Sequence, residues 1–151
     1  MITPCNIRDL PILIEIFQNY YNKDLTLWIR ERIYSTVNKL FLYDDTLVVS
    51  YEMIGTYKYC IHLVGTSDDL SRLKDFLITT GSWMMENTYC KCILAFADGD
   101  NKRLQMLIGL TGGKRLCVIP NANNESSEVL YHYSFKDKEE LEGRIKNDNP
   151  E

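Results

Sequence analysis

Apolar residues change their spacing near residue 40, and that change sets the fold class. Before it they recur at helical intervals. Leu10, Leu13, Ile14, Phe17 and Tyr21 form one such face, with Asp9 as its N-cap and Pro11 in its first turn. Leu25, Trp28, Ile29, Ile33, Val37 and Leu40 form a second, over about Asp24 to Lys39. Beyond it, Leu40–Tyr43, Thr46–Met53 and Tyr57–Val64 are rich in β-branched and aromatic residues, and Asp44–Asp45 and Gly55–Thr56 separate them. This predicts an antiparallel meander of three strands. Asp68 or Asp69 then opens a helix through Leu70, Leu73, Phe76, Leu77 and Trp83. Cys90–Ala97 reads as a strand buried on both faces. Asp100–Leu110 reads as a short helix stopped by Thr111-Gly112-Gly113. Lys114–Ile119 and Val129–Phe135 read as strands joined by a polar loop, Pro120–Ser127.

With an extended start at Ile2–Pro4, the order is β-α-α-β-β-β-α-β-α-β-β. Antiparallel strands come first, followed by a right-handed crossover to a strand that pairs in parallel. The expected fold is α+β: a mixed, mostly antiparallel central sheet with helices on both faces. The 151 residues suit one domain, 1–135, followed by a charged tail, 136–151.

The net charge of −4 (17 basic against 21 acidic residues) supplies no excess of cations to neutralise phosphates, so nucleic acid is not an expected partner. No apolar run approaches the roughly 18 residues of a membrane span. The start, MITPCNIRDLP, lacks the basic and apolar regions of a secretory signal. Cys5, Cys60, Cys90, Cys92 and Cys117 are odd in number, and the last four lie in strand-like apolar runs. They read as reduced core thiols. With only His62 and His132 beside them, no metal site is expected.

The order of elements resembles that of the GNAT superfamily of N-acetyltransferases. The opening ITPCNIRDLPILIEIF resembles the family's usual start, and Asp100-Asn101 through Thr111-Gly112 resembles its late segment Asn-x-x-Ala-x-x-Leu-Tyr-x-x-x-Gly-Phe. The family holds the acetyl-CoA pyrophosphate with Arg/Gln-x-x-Gly-x-Gly/Ala after its fourth strand. Those glycines let backbone N–H groups reach the phosphates. Here the segment is Val64-Gly65-Thr66-Ser67-Asp68-Asp69-Leu70-Ser71-Arg72, with one glycine and two carboxylates. An Asp-Asp pair caps a helix but repels a pyrophosphate. Many members also protonate the departing thiolate with a Tyr seven residues after the Asn; here that position is Ile108, and the aromatic residue expected after the glycine is Gly113.

A narrower resemblance is to small internal virion and head-assembly proteins of short-tailed bacteriophages, GNAT-like in fold with eroded cofactor motifs. Thr66-Ser67-Asp68 and the Asn101–Gly113 helix carry it. It implies a non-catalytic structural or assembly protein in the host cytoplasm or the virion, with protein partners and no cofactor. An active acetyl-CoA-dependent N-acyltransferase is the alternative. It would bind the cofactor through Leu63, Val64, Gly65, Ser71, Arg72 and Asn101. It would use Glu52 or His62 as the base acting through water, and water or Tyr89 as proton source. Residue spacing sets His62 on a sheet surface and Glu52 toward solvent. A third reading is a module that binds a host protein through the acidic face and some of its ten tyrosines, with Tyr131-His132-Tyr133 as an interface strand.

Overall fold

The computed structural model describes residues 2–67, 69–123 and 126–134. A 3₁₀ turn (Ile7–Asp9) leads into α1 (Leu10–Tyr21) and α2 (Thr26–Tyr34). The meander is β1 (Lys39–Tyr43), β2 (Leu47–Gly55) and β3 (Lys58–Gly65). Then come α3 (Leu70–Asn87), β4 (Cys92–Asp98), α4 (Lys102–Leu110), β5 (Lys114–Asn123) and β6 (Ser126–Ser134). One sheet runs in the order β1-β2-β3-β4-β6-β5. β3 and β4 pair in parallel, and every other neighbouring pair is antiparallel. The α+β expectation holds.

Strand alternation divides the core in two. On one face Val49, Tyr51, Tyr59, Ile93, Ala95 and Tyr131 meet α3 and α4. On the other, Leu40, Val48 and Val64 meet Leu13, Phe17 and Ile29 of α1 and α2. Phe41 anchors the first face, its ring edge-on to Tyr51 and Trp83 at 5.9 and 5.5 Å.

Several local expectations change. The extended start forms no strand; its Cys5 N–H donates to Leu40 C=O at 2.7 Å. Asp9 accepts from Asn6 N–H rather than from α1, closing a capping box around the 3₁₀ turn. The second helix stops at Tyr34 because Ser35 turns extended, and its hydroxyl accepts from Val37 and Asn38 N–H. The helix expected from Asp100 starts at Lys102, with Asn101 as its N-cap. β4 is buried on one face only, because α1 and α2 pack on β1, β2 and β3 and leave Phe96 exposed. The expected polar loop 120–127 is mostly strand. Tyr131 and Tyr133 are buried on β6, which lies between β4 and β5 and so is not an interface edge. The boundary expected at residue 135, and the tail after it, lie outside the described residues.

Cys5, Cys60 and Cys90 are buried, Cys92 is half-buried, and Cys117 is exposed on the edge strand rather than in the core. Burial pushes the Cys5 and Cys90 thiols up to about 12 and Cys60 up to about 11. The folded chain therefore keeps protons that the unfolded chain releases near the ordinary thiol pKa of about 8.5. Stability is complete below that pH and falls as pH rises toward 11–12, by on the order of 1–2 kcal/mol per thiol at pH 10. A melting temperature equal at pH 7 and pH 10 would contradict this.

A cleft where the central parallel strands part

The functional reading turns on where β3 and β4 stop pairing. Their ladder runs from Lys58↔Cys92 to Ile61↔Ala95 and ends there. β3 stays paired with β2 as far as Gly65, and β4 with β6 as far as Asp98. The sheet is thus open between the last residues of its two central strands. Cys92 N–H donates to Tyr57 C=O at 3.1 Å, so alternation turns the odd-numbered peptide groups of β3 toward β4. The next rung would join Leu63 N–H to Phe96 C=O, and it is not formed.

The opening is a cleft of about 290 Å³ walled by Tyr20, His62, Leu63, Phe96, Ile108 and Glu128, among others. A second hollow of about 260 Å³ shares Tyr20, Leu63, Asn101 and Leu104 with it and leads to Gly65, Ser67 and Arg103 at the mouth.

At that mouth Asp69 caps α3, its Oδ1 accepting from Arg72 N–H at 3.1 Å. A carboxylate thus sits on the positive end of the helix. Arg103 Nη2 donates to Ser67 C=O at 2.6 Å and ties α4 to the loop before α3. Arg72 lies 3.5 Å from Asp44 in an exposed pair, an arrangement of little energetic worth. Gly65 has φ +112°, and a Cβ there would lie 2.2 Å from the Thr46 carbonyl oxygen. Close contact with the β1–β2 turn therefore demands this glycine, with no ligand involved.

Of the residues proposed to hold a cofactor, Leu63, Gly65 and Asn101 line the two hollows. Asn101 Oδ1 is engaged as the α4 cap, accepting from Leu104 N–H at 3.1 Å. Val64 is buried against α1 on the other face of the sheet. Ser71 and Arg72 are exposed on the first turn of α3.

Of the proposed catalytic groups, only His62 reaches the cleft. It is exposed, with Nε2 3.4 Å from Cys60 Sγ. Glu52 does not point to solvent. One of its oxygens accepts from Arg32 Nε at 2.9 Å and Nη2 at 2.8 Å, and Arg32 stacks on Trp28 at 4.1 Å. Tyr89 stands 65% exposed in the turn before β4, at the paired end of the two strands, so it falls outside the cleft as a proton source.

Ile108 is buried and lines the cleft. A Cβ on Gly113 would lie 2.4 Å from Ile108 Cγ2 and 3.0 Å from the Tyr133 ring, so the packing of Ile108 leaves no room for an aromatic residue at 113. Sequence reasoning does not place Tyr20, Glu128 or Tyr133 in this cleft, although it reads Tyr133 as part of an interface strand. Tyr133 carries a buried hydroxyl 2.6 Å from Thr111 Oγ1 and 3.3 Å from Ile108 C=O. Among the described residues no cluster could hold a metal ion, and no helix is long and apolar enough to cross a membrane.

No protein-family description and no curated sequence matches this chain. Solved structures do. A probable acetyltransferase from Staphylococcus epidermidis is 16% identical with a TM-score of 0.74, covering 90% of this chain and 99% of its own. Mutant forms of a spermidine/spermine N-acetyltransferase from Vibrio cholerae are 9% identical with a TM-score of 0.76, over 97% and 98%. A GNAT-family acetyltransferase from Bacillus cereus is 14% identical with a TM-score of 0.69, over 89% and 96%. At such identities the likeness is one of architecture, and the fold of this chain is that of the GNAT N-acetyltransferases.

Proposed function

We propose that this chain uses the GNAT fold as a scaffold for binding other proteins, without acyl transfer, as a structural or assembly component of a bacteriophage particle. The Asp69 carboxylate at the N-terminus of α3 carries the reading. A pyrophosphate seat needs free N–H groups and positive potential. Here one of those N–H groups is already bonded, and the bonded group is an anion. Arg103 ties the adjoining loop to α4. Ile108 supplies no proton where the family places its acid. At the pyrophosphate end, then, the residues do not fit acetyl-CoA. The bacteriophage setting is supported by the resemblance of Thr66-Ser67-Asp68 and of the segment from Asn101 to Gly113.

A second reading, an N-acyltransferase, is favoured by the splay itself. Its open strand edge at Leu63 suits an extended amide-bearing arm, and His62 stands beside it. The readings separate in a transfer assay. The purified chain is incubated with acetyl-CoA and a panel of polyamines and lysine peptides, and released thiol is measured. The scaffold reading predicts background rates throughout. Transfer above background that falls in His62→Ala would establish the second reading in its place.

A further inference from the structure

Among the described residues, the splay leaves a length of strand edge with no strand beside it. Beyond Ile61↔Ala95 the described residues form no rung between β3 and β4, and Leu63 N–H and Phe96 C=O face the gap from opposite sides. Backbone groups taken from water need partners, and an added strand supplies them in ladder order. The walls suit alternating side chains, with Leu63, Phe96, Leu104 and Ile108 apolar. Among the described residues, the charged side chains lining the cleft are acidic: Asp98 and Glu128 face each other across β4 and β6, and no described Lys or Arg lines it. The Asp98 carboxylate accepts from Ser126 Oγ and Asp100 N–H, which fixes its position. Glu128 is half-buried beside it. Like charges at facing strand positions are unfavourable, and a cation brought against the half-buried Glu128 is favoured there. On the sheet face next to this end Phe96 is exposed and Leu94 and Leu130 are half-buried.

We propose that the splay is a docking groove for an extended segment of a partner protein, taken up as a short added strand, with a Lys or Arg of that segment against Glu128 and Asp98. This rests on the scaffold reading above and names how the scaffold grips its partner. A carbonyl of the segment accepts from Leu63 N–H, and an N–H of the segment donates to Phe96 C=O. Its apolar side chains lie against Leu63 and Ile108. The charge requirement excludes a polyanion from the same walls and selects a basic, apolar-alternating sequence.

The test uses the full chain and two fluorescein-labelled synthetic peptides, one alternating valine with lysine and one alternating valine with glutamate. Fluorescence anisotropy should show the lysine peptide binding with a Kd below about 1 mM and the glutamate peptide not binding. Glu128→Lys should weaken the lysine peptide at least about tenfold with an unchanged circular dichroism spectrum. Hydrogen exchange of the Leu63 amide should slow when the lysine peptide is bound. Failure of both peptides to bind, or equal binding by the parent and Glu128→Lys with no protection at Leu63, overturns the groove and leaves the scaffold reading standing. Displacement of the bound lysine peptide by micromolar acetyl-CoA supports the groove's position and overturns the scaffold reading instead.

Discussion

Alanine at position 65 is expected to cost the domain more than about 3 kcal/mol, a melting temperature lower by about 10 °C or more. Two effects add. The backbone at Gly65 sits at φ +112°, a region L side chains rarely adopt. The added methyl would also press on the Thr46 carbonyl at 2.2 Å, and on Leu47 Cα at 3.0 Å. Both contacts are main chain of the neighbouring hairpin and cannot rotate away. Relief requires moving the end of β3 from β2, which breaks the Leu47↔Gly65 pairing and the Thr66 N–H to Thr46 C=O bond. Gly109→Ala is the matched control, since a Cβ there meets nothing within 4 Å. It should be neutral or slightly stabilising, by up to about 1 kcal/mol, because alanine is the better helix former. Thermal melts of the two variants check this, and a Gly65→Ala melt within 2–3 °C of the parent, about 1 kcal/mol, would contradict it.

Phe41→Ala is expected to lose about 3–5 kcal/mol. Phe41 is fully buried on β1 and touches both layers of its core, Tyr51 in the sheet and Trp83 on α3. Removing the ring leaves a cavity between the sheet and a long helix that cannot collapse independently. Phe41→Leu should recover more than half of the loss. Urea unfolding measures both, with Trp83 among its fluorescence reporters. A Phe41→Ala cost under about 1 kcal/mol would mean that α3 is not packed as described.

Much of this fold is legible in the sequence, for a stated reason. The meander and helices α1, α3 and α4 each carry a clear apolar period, and local turn chemistry agrees with it at Asp69 and Thr111. The misreadings occur where the deciding partner is remote. Ser35 ends α2 through its own hydroxyl, although the apolar period continues past it to Leu40. The run Cys92–Ala97 is apolar throughout, and nothing in it reveals that α1 and α2 stop at β3 and leave Phe96 uncovered. Asn121, Ala122 and Asn123 read as loop, yet they continue the strand.

The site divides the same way. The Asp69 cap, Ile108 and Gly113 can be read in place, because each departs from a local pattern. Tyr20 and Glu128 come from the end of a helix and the start of a strand far apart in sequence, and only the tertiary fold brings them to one cleft. Tyr89 is close in sequence to a central strand, but sequence does not say that it stands at the paired end. Gly65 matches a cofactor motif by position, while its geometry is dictated by Thr46.

The central claim is that the α3 N-terminus serves its own Asp69 and not a pyrophosphate. Calorimetric titration of the purified chain with acetyl-CoA tests it most directly. The account predicts no binding heat and no thermal stabilisation at millimolar cofactor. A dissociation constant in the micromolar range, about −8 kcal/mol, would contradict it and establish the cleft as a working acyl-CoA site.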